Sequence, residues 1–216
     1  MTCIVHPRLV AQARVDTPLG PMLLAATEAG LAGAWFDGQK HHPGALAVPV
    51  DARQRHLQAA AAALQVYWRG EPGAETAIAA LKLDLAGTPF QRRVWQALGT
   101  LAPGHTRTYT ELAATAGLGH AVRAVAAAVG RNPVSVLLPC HRVLGHDGRL
   151  TGYAGGLPRK RALLDHEARL REASATASND GLGSATAAHQ SRARKSSIAR
   201  LRRPAAATAG PHNRPQ

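Results

Sequence analysis

Only two thiols occur in the 216-residue chain, Cys3 and Cys140, and the second stands where chemistry is plausible. It lies in the run Pro139-Cys140-His141-Arg142-Val143, directly after the apolar stretch 134–138. A cysteine in such a place is ordinarily a buried, inert packing residue. Here Pro139 ends the stretch and puts Cys140 at the edge of an element. His141 and Arg142 bring a proton acceptor and a positive charge to the sulfur, and such neighbours lower a thiol pKa and favour thiolate. Glu167 would complete the set by orienting His141, if the fold brings the two together. Cys–His–acid is the logic of an activated nucleophile, and on its own it equally allows a cysteine hydrolase. His105, His120 and His146 form no comparable pattern and are expected at the surface.

These residues need elements to hold them. Residues 10–15, 22–26 and 31–36 read as short strands around the turn Thr17-Pro18-Leu19-Gly20 and around Glu28-Ala29-Gly30. Residues 38–52, rich in Gly, Pro and His, read as a loop. An Ala-rich helix over 55–68 carries Leu57, Leu64 and Tyr67 along one side and stops at Gly70. Leu81-Lys82-Leu83-Asp84-Leu85 alternates like a strand. Thr88 suits an N-cap, Pro89 the first helical position and Gln91 a capping box, with Val94, Trp95 and Leu98 following at helical spacing. Trp95 and Phe90 read as core. A helix over 110–116, capped by Thr108 or Thr110, is linked by Gly117-Leu118-Gly119 to a second over 121–129. The pair makes a helix-turn-helix. The stretch 134–138 reads as a β-type run, and 159–171 as a last helix with Leu163, Leu164, His166 and Glu167 turned toward neighbours.

The net charge is +13, and all of the excess lies in the second half: residues 1–86 are neutral, 87–172 carry +7 and 173–216 carry +6. Such a surface attracts phosphate and releases counterions from nucleic acid. A helix-turn-helix beside a reactive thiol in a basic half suggests chemistry on DNA. The cysteines match no zinc or redox spacing, which suits a reducing compartment. No secretory signal and no bilayer-length apolar run is apparent. Residues 173–216 have too few large apolar side chains to fold alone and read as a disordered basic tail.

The segment 87–167 resembles the catalytic domain of the methylated-DNA–protein-cysteine (6-O-methylguanine-DNA) methyltransferases. The resemblance rests on Gly87 to Gln91, Val94-Trp95, Pro103-Gly104, Tyr109, Arg123-Ala124-Val125, Asn132-Pro133, Pro139 to Val143, Gly152-Tyr153, Gly155-Gly156, Lys160, Leu163-Leu164 and Glu167. Residues 15–24 are similar to the start of the family's smaller N-terminal domain. The resemblance implies that Cys140 accepts an alkyl group irreversibly. His141 is then the base, acting through a water, and Glu167 the acid that holds its tautomer. It makes Asn132 a brace between the second helix and the cysteine. Tyr109 becomes a donor to the guanine ring, and Arg123 the side chain that replaces the flipped base. Ala124, Ala127 and Ala128 become the small face that enters the minor groove. Tyr153, Gly155 and Gly156 match the loop over the extruded base, and the Val143 carbonyl matches the acceptor of the guanine amino group. Ala154 stands where some members carry Ser, and Leu101-Ala102-Pro103 departs from the usual Ile-Pro. Some members bind zinc in the N-terminal domain, but with Cys3 beside His6, His41 and His42 as the available ligands no metal site is expected.

The expected architecture is α+β: a small mixed α/β N-terminal domain with linker (1–86), a mostly helical alkyltransferase domain with the helix-turn-helix and an active-site cysteine strand (87–172), and the tail (173–216). The expected protein is a cytoplasmic monomer without cofactor or membrane contact, acting on double-stranded DNA that contains alkylated guanine. The competing readings are a non-catalytic alkyl-damage binder and a helix-turn-helix regulator.

Overall fold

A computed structural model describes residues 5–173, 175 and 176. Strands β1 (Ala11–Val15), β2 (Met22–Ala26) and β3 (Leu31–Phe36) form an antiparallel sheet in sequence order, with Ala13 opposite Leu24 and Leu24 opposite Ala34. The sheet is covered on both faces. Met22, Leu24, Ala34 and Phe36 enter the main core, while Leu23, Ala25 and Trp35 are covered by Leu9 and Leu46. Helix α1 (Arg55–Arg69) packs on this sheet through Leu57, Ala60, Ala63, Leu64 and Tyr67, the spacing of one helical face. Gln54 caps it by accepting from the backbone N–H groups of His56 and Leu57.

A short helix, α2 (Ala74–Ala79), follows. The alternating stretch 81–85 is not a strand: it makes one bridge, Leu31 to Leu83, and then leaves. Helix α3 (Pro89–Gly99) begins with the expected capping box of Thr88 and Gln91. β4 (Arg107–Thr108) leads into α4 (Tyr109–Thr115), whose capping box is Thr108 with Glu111, and α5 (Val122–Gly130) completes the helix-turn-helix. Trp95 ties α3 to α5 by donating its indole N–H to the Ala128 carbonyl at 2.9 Å. β5 (Val143–Leu144) pairs in parallel with β4, and residues 157–173 form the last helix, α6.

The architecture is α+β, with one correction at the cysteine. Residues 134–138 are not a strand. Val134 bridges Ala34 once, and the chain then turns on itself through Leu137 N–H to Ser135 O (2.9 Å), Leu138 N–H to Val134 O (3.0 Å) and Cys140 N–H to Leu138 O (2.8 Å). Residues 134–143 are all buried, so their backbone groups need partners, and tight turns supply them where no neighbouring strand does. Cys140 therefore sits on a 3₁₀ turn, Cys140–Arg142.

Residues 5–171 belong to one compact unit. The expected tail lies outside the described residues, apart from its first few. Among the described residues, no helix is long and apolar enough to cross a membrane.

Candidate active site

Cys140 is 4% exposed. Asn132, which follows the end of α5, holds its turn: Nδ2 donates to Leu138 O at 2.8 Å and approaches Cys140 Sγ at 3.1 Å, while Oδ1 accepts from Val134 N–H at 3.0 Å. Burial pushes the Cys140 thiol up. The Asn132 contact, the Lys160 charge and nearby backbone N–H groups offset this only in part. The expected lowering of the thiol pKa is thus corrected to a rise, which makes removal of the thiol proton part of the reaction.

His141 is fully buried, and its Nε2 lies 2.8 Å from Glu167 Oε1. Burial would raise the Glu167 carboxyl, but hydrogen bonds and charge from His141 and Arg142 hold it well below the usual carboxylate range. Burial lowers the His141 pKa despite Glu167, and Arg142 and Lys160 add to the lowering. These facts fix the tautomer. An ionised carboxylate only accepts, so the neutral imidazole carries its proton on Nε2. Nδ1 is then the basic atom. It is buried and has no hydrogen-bond partner in the protein.

Arg142 does not act on the sulfur. Its Nη2 reaches Glu167 Oε1 at 2.7 Å, its Nε reaches Oε2 at 2.9 Å, and its Nη1 donates to the Leu101 carbonyl. Glu167 also accepts from the Tyr67 hydroxyl (3.0 Å) and from Gly104 N–H (3.0 Å). Neither partner was expected, and separations of 100 and 63 residues leave no periodic signal by which to find them.

Tyr109, Tyr153 and Lys160 lie close enough to Cys140 to interact with it electrostatically. Tyr109 opens α4, half-buried, with its hydroxyl 3.5 Å from Gly152 O. Burial raises its pKa, and a hydrogen bond from Thr151 offsets this in part. The Tyr153 hydroxyl is buried without a hydrogen-bond partner. Gly155 is required beneath that ring, because a Cβ there would lie 2.6 Å from Tyr153 Cε1, and Gly156 N–H closes the turn onto Tyr153 O at 3.0 Å. Fully buried Lys160 binds this loop from below, donating Nζ to the carbonyls of Val143 and Thr151. Burial lowers its ammonium to about 8, against the opposing pull of Cys140. The Val143 carbonyl thus already accepts one hydrogen bond and keeps a second lone pair.

On α5, Arg123, Ala124 and Ala127 share an exposed face. Ala128 does not belong to it: it is 2% exposed and packed in the core, so its small size serves helix packing. His105, His120 and His146 are exposed. Among the described residues, no group of three or more His, Cys, Asp or Glu is placed to hold a metal. His6 instead pairs with Asp84 at 3.5 Å, and Cys3 lies outside the described residues.

Residues 89–169 match the 6-O-methylguanine DNA methyltransferase, DNA binding domain. A methylated-DNA–protein-cysteine methyltransferase of Methanosarcina barkeri is 42% identical over 156 residues, which cover 71% of this chain and 94% of the relative. One from Mycobacterium leprae is 41% identical over 154 residues, covering 71% and 89%. The Mycobacterium tuberculosis OGT solved in complex with DNA superposes with a TM-score of 0.64 at 38% identity, covering 74% of this chain and 94% of that one. With its cysteine, histidine and glutamate assembled as described and its similarity extending over most of these relatives, the chain belongs to the methylated-DNA–protein-cysteine methyltransferase family.

Proposed function

We propose that the protein repairs DNA by moving an alkyl group from the 6-oxygen of guanine onto Cys140, once per molecule. The observation that carries the reading is the buried His141–Glu167 pair directly following buried Cys140 in the chain, in which His141 Nδ1 is the one ring nitrogen left to accept a proton. The thiol proton passes to Nδ1, directly or through a water. The sulfur then attacks the alkyl carbon, an S–C bond forms, and the C–O bond breaks with its electron pair going to the guanine oxygen. The Tyr109 hydroxyl neutralises charge developing on the base, and Lys160 steadies the sulfur and the covering loop. A thioether has no leaving path back, so the protein ends alkylated. No diffusible cofactor enters these steps.

The partner is double-stranded DNA carrying the alkylated base. The exposed face of Arg123, Ala124 and Ala127 enters the minor groove, where small side chains avoid clashes. Arg123 fills the place of the flipped base, whose extrusion is eased by its poor pairing. Arg123→Ala should weaken capture of the damaged duplex by about tenfold, roughly 1.4 kcal/mol, without slowing transfer once the base is bound; the split between binding constant and single-turnover rate checks this. Residues 87–172 are the transferase domain, residues 1–86 support it, and the protein works as a monomer in the cytoplasm, where a free thiol stays reduced.

The decisive measurement is intact mass after incubation with a 6-O-methylguanine duplex. Gain of one methyl, located on Cys140, is expected. Tight binding without mass gain would favour the damage-binder reading. Binding indifferent to alkylation would favour the regulator.

A further inference from the structure

The triad acid is also held by a residue 100 positions away in sequence. Tyr67, in the last turn of α1, donates its hydroxyl proton to Glu167 Oε1, the same oxygen that meets His141 Nε2. Both side chains are buried. The contact is one part of a wider grip. The Tyr67 carbonyl lies 2.9 Å from His166 Nε2, and the two rings are 5.1 Å apart. At Gly70, φ is +65° and a Cβ would fall 2.2 Å from Leu170 Cδ2, so α1 must end in glycine for Leu170 to seat there. Residues 166, 167 and 170 lie on one side of α6, and α1 holds them all. Burial and the neighbouring carboxylate raise the Tyr67 hydroxyl well above its ordinary value, so it remains a donor wherever the protein is folded.

We propose that Tyr67 is a positioning residue for alkyl transfer: its hydroxyl fixes Glu167 Oε1 against His141 Nε2 and limits how basic that carboxylate makes the imidazole. This rests on the reading of His141 as the base. A hydrogen bond donated to a carboxylate stabilises its charge and weakens what it offers its other partners. The charged and titratable groups around His141 are Glu167 and Lys160 from α6 and Arg142 and Cys140 from its own turn. Tyr67 is a neutral donor, so removing its hydroxyl leaves every one of those charges in place.

The test is Tyr67→Phe in the full chain, which keeps the ring and its packing. The His141 titration midpoint, read by NMR at the imidazole, should rise by about half a unit to one unit. The acid limb of the single-turnover rate should move with it. Below both midpoints the rate should fall roughly three- to tenfold, while the high-pH plateau stays within about twofold. A ring-fluorinated tyrosine at position 67, a stronger donor that keeps the hydroxyl, should move both readouts the other way. An unmoved midpoint, whether with an unchanged rate or with a drop uniform across pH, would overturn the proposal. The midpoint needs no substrate, so it judges Tyr67 even if the wild-type protein transfers no alkyl group, which would refute the base reading alone.

Discussion

Cys140→Ser should abolish alkyl transfer, with the single-turnover rate falling by about four orders of magnitude or more, while binding to an alkylated duplex persists. A serine hydroxyl holds its proton far more tightly than a thiol, and neutral His141 is too weak a base to remove it. Binding is expected to survive because the proposed contacts to DNA lie on α5 and the basic surface rather than on the sulfur. The oxygen fits the space, and Asn132 Nδ2, now 3.1 Å from Sγ, can donate to it. Intact mass should show no adduct after long incubation, while a binding titration matches the wild type within about threefold. A methyl on any other residue of the variant would move the acceptor elsewhere and sink the assignment.

The second large effect falls on stability. Arg142→Met should cost about 3–5 kcal/mol, because it leaves the buried Glu167 carboxylate without its bidentate partner and the Leu101 carbonyl without a donor. The loss should depend on pH with a definite sign. In the native protein Glu167 is held below its unfolded value, about 4.3. Its stabilisation is therefore present above that value and is lost as pH falls through the folded one. His141 acts in the same direction: its folded pKa lies below about 6.5, so its share is present above that pH and fades as acid forces a buried imidazole to charge. Native stability should thus rise from pH 4 to 7. Without Arg142, burial raises the Glu167 pKa, and stability lent by the protonated acid is lost as pH rises. The gap between the two proteins should widen over that range in urea unfolding. A constant gap would mean that Arg142 contributes packing alone.

Legibility in the sequence followed the range of the interaction. Local devices were readable: the Thr88–Gln91 capping box, the stop at Gly70 and the three strands each depend on residues a few positions apart. The stretch 134–138 misled because its apolar residues answer to burial, which turns satisfy as well as a strand does. The stretch 81–85 misled because its alternation reflects one edge contact with Leu31. Helix α2 gave little pattern because it is six residues long and only partly covers Ala74, Ala77 and Ile78. At the site, the Cys–His–acid set was legible as residue types, and the motif around it supplied the partners. The state of the thiol was not legible, because Arg142 lies two residues from Cys140 in sequence but turns its charge to Glu167. Tyr67 and Gly104 join the site only through the tertiary fold.

The grip of α1 on α6 also sets an order in time. Contacts between residues far apart in sequence close late, since a long loop must be ordered first. As the chain is synthesised, Cys140 and His141 emerge before Glu167; Tyr67 can hold the carboxylate only when α6 docks against α1, and the carboxylate can meet the imidazole only once α6 has been made. Until then the base has no fixed tautomer and the thiol no directed acceptor for its proton. A nucleophile that can react only once is therefore unarmed until the helix that carries its acid has been made.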